Sequence, residues 1–342
     1  MGLGAYVCRV LCIPQGRRSR SRASVARRLS GVLTVMLSIA VGGCGSCGSC
    51  GSSGTAAEGL RADEPSPHVR CLAAEPDREG SVNVGELTLT IEDRDLTLSG
   101  AEPLRFAAFA GPAPFTVDLT DALGAVGDSG VHFVVVLGAF GDDAESLAAT
   151  LEALGGLELP VFLVPGGRDD AVLLEGALDD LEDDVAARIV DLSPFDRLIA
   201  GAVELVPVAG APGGRYGRVD TACGFGADDL EDLVDRIGEA EEGEGAPRYL
   251  LSWAAPAGGI AAGITGADAG DPALREFAEE IGIRGGIFAW PGEAAGRVED
   301  ADGRRSEVVR RIAGSPSLRA DGARSPVGPS FFTAGADGIS SP

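Results

Sequence analysis

Residues 131–140 (VHFVVVLGAF) restrict the fold more than any other stretch of the chain. An unbroken, largely β-branched run of this kind suits a strand buried on both faces, as in the middle of a parallel sheet. Gly141-Asp142-Asp143 follows, and Asp142 with Glu145 has the spacing of a capping box. Leu147, Leu151 and Leu154 then keep helical spacing as far as Gly155-Gly156. A second apolar strand, residues 159–165 (LPVFLVP), leads through Gly166-Gly167-Arg168-Asp169-Asp170 into a helix over 172–187. This is a β-α-β-α unit. Its crossover is right-handed, and a layered α/β fold is predicted.

Flanking segments extend the pattern. Residues 82–98 alternate polar and apolar on either side of Glu92-Asp93-Arg94, which predicts an N-terminal β-hairpin with one wet face. Residues 104–110 form another apolar strand. In the second half, strands are predicted over 189–192, 198–209, 249–253 (YLLSW) and 285–290 (GGIFAW), and helices over 227–242 and 272–281. The tail from Arg304 is expected to add edge strands. No repeat period is present, so one domain is placed at 80–335, with 336–342 as a tail.

The amino terminus reads as an address. Seven of the 28 basic residues, all arginine, fall within residues 1–43, which carry no acid. A charge-free run over 29–41 follows, too short to span a bilayer, which takes about 20 residues. Basic region, short apolar region and small residues come in the order of a secretory leader. The end of the leader, Val41-Gly42-Gly43-Cys44, resembles the lipobox of bacterial lipoproteins. That resemblance implies a signal peptide over 1–43, lipid on Cys44, and a membrane partner reached through the lipid. Gly45, where an inner-membrane retention aspartate would stand, implies an outer-membrane location in the cell envelope. Residues 44–79 begin with a Gly/Ser/Cys-rich tether. Its C-x-x-C-x-x-C spacing is that of a metal loop, but Cys44 is consumed by lipid on this reading and no flanking fold supports one. Cys71 and Cys223 stand apart, with a disulfide and two buried thiols both open.

Against these 28 arginines the chain sets 52 acidic residues, a formal charge of −24. Such a balance argues against nucleic acid as a partner, because phosphate affinity comes from clustered cations. His68 and His132 are the two histidines, few for imidazole chemistry.

The order of elements resembles the calcineurin-like metallophosphoesterases, over about residues 104–298. In that family strands end in loops carrying D-x-H, G-D, G-N-H-D, a lone histidine before a proline-rich loop, and G-H-x-H. Here Ala110-Gly111-Pro112 stands at the first of these and Ala139 at the bridging aspartate. Gly167 and Arg168 replace the asparagine and histidine beside Asp169. Trp253 takes the lone histidine, and Trp290 with Gly292 the last pair. The resemblance implies an α/β-β-α sandwich whose strand ends converge on a vestigial pocket of Ala110, Pro112, Ala139, Asp142, Gly167, Arg168, Asp169, Trp253, Trp290 and Gly292. It implies two metals in the family, yet Ala, Gly, Pro, Arg and Trp do not ligate hard divalent cations, so no metal, cofactor or catalytic residue is expected here. Asp142 and Asp170 read as helix caps paired with Arg168. Two functions are open: a lipid-anchored, non-catalytic binding or scaffold module for a protein or small-molecule ligand, or a hydrolase with a rebuilt site on the same fold.

Overall fold

The computed structural model describes residues 71–76, 79–111, 117–213, 221–238, 245–258, 270–289, 296–299, 305–308, 329–335 and 338–340. Cys44, Pro112, Trp290 and Gly292 lie outside the described residues. The first three strands, β1 (Gly80–Val84), β2 (Leu87–Glu92) and β3 (Asp95–Ser99), form a meander. The expected single hairpin over 82–98 is thus corrected: Gly85-Glu86 makes a second turn, with Gly85 at φ +60. Then follow β4 (Leu104–Ala110), α1 (Val117–Asp128), β5 (Phe133–Leu137), α2 (Ala144–Gly155), β6 (Val161–Val164), α3 (Ala171–Asp179), α4 (Asp183–Ala186) and β7 (Ile189–Asp191). The helix expected over 172–187 is therefore two, parted at Asp180-Leu181-Glu182.

The segment expected as one strand over 198–209 is a tight antiparallel pair, β8 (Arg197–Ala200) and β9 (Val203–Val208), folded back at Gly201-Ala202. Two short strands, β10 (Ala211–Pro212) and β11 (Gly224–Phe225), lead into α5 (Ala227–Ile237). The remaining elements are β12 (Arg248–Ser252), α6 (Pro272–Glu280), β13 (Gly285–Phe288), β14 (Gly296–Glu299), β15 (Arg305–Val308), β16 (Ser330–Gly335) and β17 (Gly338–Ser340). Folded structure thus reaches past 80–335 at both ends, to Cys71 and Ser340. Two strands of the tail are not edges: β15 pairs with both β13 and β14, and β16 with both β4 and β17.

Two mixed sheets carry the architecture. One has six strands in the order β17-β16-β4-β5-β6-β7, with β4 to β7 parallel. The other has nine, β1-β2-β3-β8-β9-β12-β13-β15-β14, with β9, β12, β13 and β15 parallel. The apolar runs divide by the two-residue period of a strand. Ala107, Phe109, Val134, Val136, Val161 and Leu163 pack under α1, α2 and α3. Their neighbours Phe106, Ala108, Phe133, Val135, Leu137, Phe162 and Val164 join a core shared with the larger sheet and with α5 and α6. Each of these side chains is fully buried, which is why the sequence shows no polar face there. Phe106 stacks on its register partners Phe133 (centroids 4.8 Å apart) and Phe332 (5.0 Å), an arrangement that adds to plain area burial.

Helix α1 is absent from the sequence reading. Gly124 and Gly127 in its interior weaken helix propensity, but Leu119, Ala122, Leu123 and Val126 supply a buried stripe at helical spacing. Tertiary packing decides in its favour. Helix α2 is capped by Asp143 rather than Asp142. Asp143 accepts the Ser146 N–H at 2.8 Å, and Ser146 Oγ reaches back to the Asp143 N–H. That box, one residue on from the expected one, corrects the Asp142–Glu145 reading. Asp170 does cap α3, accepting from Val172 and Leu173 N–H.

Cys71 and Cys223 are joined in a disulfide. An ion cluster flanks it: Asp196 accepts from both Arg94 and Arg236, and both guanidiniums also donate to the Leu72 carbonyl. Arg94 further bonds the Ala74 carbonyl. Nothing in the spacing of these residues marks them in advance, since Arg94 and Asp196 are 102 positions apart.

Candidate functional site

Parallel strands β4, β5, β6, β9, β12 and β13 present their carboxyl ends along one edge of the sandwich, where open α/β sheets bind ligands. Main-chain bonds knit these ends together. Gly111 N–H donates to Gly138 O at 3.0 Å, and Gly138 N–H to Val164 O at 2.9 Å. Gly210, just after β9, donates to Pro165 O at 2.6 Å and bridges Gly166. Through that bridge the two sheets meet. Ala110, Ala139, Gly167, Arg168 and Asp169 all lie on this edge.

Asp169 organises the turns. Its carboxylate is buried and accepts three backbone N–H groups, from Ala139, Phe140 and Gly166, each at 2.8 Å. Gly138 and Ala139 both turn through the left-handed region, at φ +60 and +58. That conformation is costly for alanine, and the bond from its N–H to Asp169 helps to hold it. Arg168 reaches exposed Asp142 at 3.3 Å. Asp170 is not paired with Arg168 as expected; it bonds its own helix and the Thr221 hydroxyl.

Trp253 fills the space between the sheets. It follows β12 in the larger sheet and is 5% exposed. A Cβ placed on Gly138 would lie 2.3 Å from its Cδ1, and one on Gly166 would lie 2.4 Å from its Cγ. Both glycines belong to turns of the smaller sheet, so the indole lies flush against two backbones that only glycine allows to approach so closely.

One carboxylate at this edge escaped the sequence reading. Asp191, at the end of β7, is buried and accepts the N–H and hydroxyl of Ser193. Its only signal was its place after an apolar strand. Burial pushes the Asp169 carboxyl up from 3.8 to about 6, against the lowering effect of its three N–H donors and Arg168. Burial does the same to Asp191, up to about 6, with the Asp169 charge adding to the rise. A folded-state value above the unfolded one means that the fold holds these protons more tightly than the open chain. The contribution of these two groups to stability therefore rises as pH falls from 7 through about 6 and levels off below 3.8. One such group contributes on the order of 3 kcal/mol across that window. Asp191→Asn keeps the oxygen that Ser193 uses and is expected to flatten the pH dependence of the melting temperature. Equal slopes for parent and variant between pH 4 and 7 would count against this assignment.

His132 stands at the opposite end, at the start of β5, where its Nδ1 accepts the Arg105 N–H at 3.0 Å. Burial lowers its pKa. His68 is outside the described residues. Among the described residues, no three of His, Cys, Asp and Glu gather as a metal-holding group. The described part of this edge is lined by Ala139, by Arg168 with its contact to Asp142, and by the buried indole of Trp253.

The stacked sheets, flanking helices and converging strand-end turns define a layered α/β sandwich. No family model and no curated protein matches the sequence. One solved structure shares the fold, and others align with lower scores. One crystal structure aligns over 70% of this chain and 99% of its own at 10% identity, with a TM-score of 0.50. A phosphopantetheinyl hydrolase from Mycobacterium tuberculosis aligns over 61% of this chain and 89% of its own at 11% identity, with a TM-score of 0.42. A dimetal phosphatase from Danio rerio aligns over 68% and 93% at 12% identity, with a TM-score of 0.41. At such identities the likeness is one of fold.

Proposed function

We propose that this chain is a non-catalytic binding or scaffold module of the bacterial cell envelope, built on a metallophosphoesterase-type sandwich and held to a membrane by lipid on Cys44. The observation that carries the first half is the seat of Trp253 against Gly138 and Gly166, in the gap between the strand ends. An apolar indole there replaces a cluster of charges whose burial without metal would be costly. The oxygens of Asp169 are spent on backbone N–H groups, which fits an orienting role rather than ligation. The address rests on the order of leader, apolar run and lipobox. A disulfide between Cys71 and Cys223 accords with it, since such bonds persist in oxidising compartments outside the cytosol.

Elemental analysis and a phosphodiesterase assay test this reading together. The full chain is expected to carry no stoichiometric manganese, iron or zinc and to leave a generic phosphodiester intact. Its melting temperature should be the same with and without chelator. Near-stoichiometric metal, or robust manganese-dependent hydrolysis, would instead establish a hydrolase with a rebuilt site.

A further inference from the structure

Cys223 lies in a segment that rests on the site. Thr221 accepts the Ala171 N–H through its carbonyl at 3.0 Å and donates its hydroxyl to Asp170. Ala222 bridges Asp170, and the Cys223 carbonyl accepts the Ala211 N–H at 3.2 Å. A Cβ on Gly210 would meet the Cys223 main chain at 2.8 Å, so the segment runs hard against the turn that links the two sheets. Asp170 directly follows Asp169. Movement of residues 221–223 therefore bears on the turns around Trp253.

At its other end the disulfide holds the stretch that leads back towards Cys44. That stretch has independent fastenings, from Arg94 and Arg236 to the Leu72 and Ala74 carbonyls. Both half-cystines are buried, at 1% and 2% exposed. The bond spans 152 positions of sequence, yet locally it ties only a short turn to a short loop.

We infer that the Cys71–Cys223 bond is a redox clasp on the strand-end site. Closed, it clamps residues 221–223 over Asp170 and α3; opened, it leaves that segment held by its bonds to Asp170, Ala171 and Ala211, while the arginine fastenings keep 71–74 docked. The step is a two-electron reduction. Dithiothreitol supplies two electrons and two protons and closes to its cyclic disulfide, and the bond between the two half-cystines opens to two thiols. This inference holds whether or not the cleft proves to bind metal, so its failure leaves the proposed function untouched.

Amide hydrogen exchange on the full chain, oxidised and reduced, is the test. Reduction is expected to speed exchange of the Ala171 and Ala211 amides by roughly tenfold or more, the scale of a local loss of disulfide stabilisation. Amides of the β4–β16 pair should keep their rates. A Cys71→Ser, Cys223→Ser double variant should show the fast pattern with or without reductant. Unchanged rates at Ala171 and Ala211 would overturn the inference. So would uniform acceleration including the β4–β16 pair, or a double variant that fails to fold, since either makes the bond a staple of the whole domain.

Discussion

Replacing Trp253 by alanine is expected to destabilise the domain by about 3–5 kcal/mol, the range for removing a large, fully packed aromatic. The ring touches two glycine backbones that cannot follow it inwards without breaking the Gly138–Val164 and Gly210–Pro165 bonds, so the cavity has little means of collapse. Urea unfolding followed by circular dichroism measures the loss. A value under about 1 kcal/mol, the scale of a surface change, would mean that the indole is not seated as described. Gly166→Ala should also destabilise, by overpacking against the ring at about 1–3 kcal/mol, and should cost less in the Trp253→Ala background, where the ring is gone. Trp253→His should lose stability without gaining phosphatase activity, because Ala139, Gly167 and Arg168 offer it no partner ligand.

Cys44→Ala is expected to move the chain from the membrane fraction to the soluble fraction almost completely. The several acyl chains of a lipoprotein hold firmly, whereas one chain alone gives only marginal, reversible binding, with a constant of about 10⁴ M⁻¹. Among the described residues no helix is long and apolar enough to cross a membrane. Fractionation of cells expressing parent and variant, with mass analysis of the amino-terminal peptide, gives the result. A variant that still sediments with membranes would sink the lipid-anchor proposal.

Much of the fold was legible because its strands are apolar on both faces. Phe133, Val134, Val135, Val136 and Leu137 could be nothing but the centre of a covered sheet, and the turns after them follow from Gly138 and Gly166. Where chain reversal depends on one small residue, reading the sequence fell short. Gly201 splits what looks like a single strand, and Gly85 adds a turn to what looks like one hairpin. Ala110, Ala139 and Gly167 to Asp169 do lie at strand ends along one edge. What Trp253 does there was not legible, since its fit depends on two glycines from the other sheet, 87 or more positions away. The Arg94–Asp196–Arg236 cluster was missed for the same reason, since its members meet only in three dimensions. Asp191 bonds Ser193 only two positions on, and what its sequence does not show is its burial.

The phenylalanine stack through Phe332, Phe106 and Phe133 bears on the timing of assembly. Strand β4 lies in the interior of its sheet, yet its outer neighbour β16 comes more than 200 positions later. Until residue 332 has left the ribosome, the outer edge of β4 stays unpaired and one face of Phe106 stays bare. Contacts of such long range are slow to form, because loop-closure entropy is lost before they can reward it. The smaller sheet therefore cannot be completed piecemeal as the polypeptide emerges. It closes last, when the distant β16–β17 pair docks along β4.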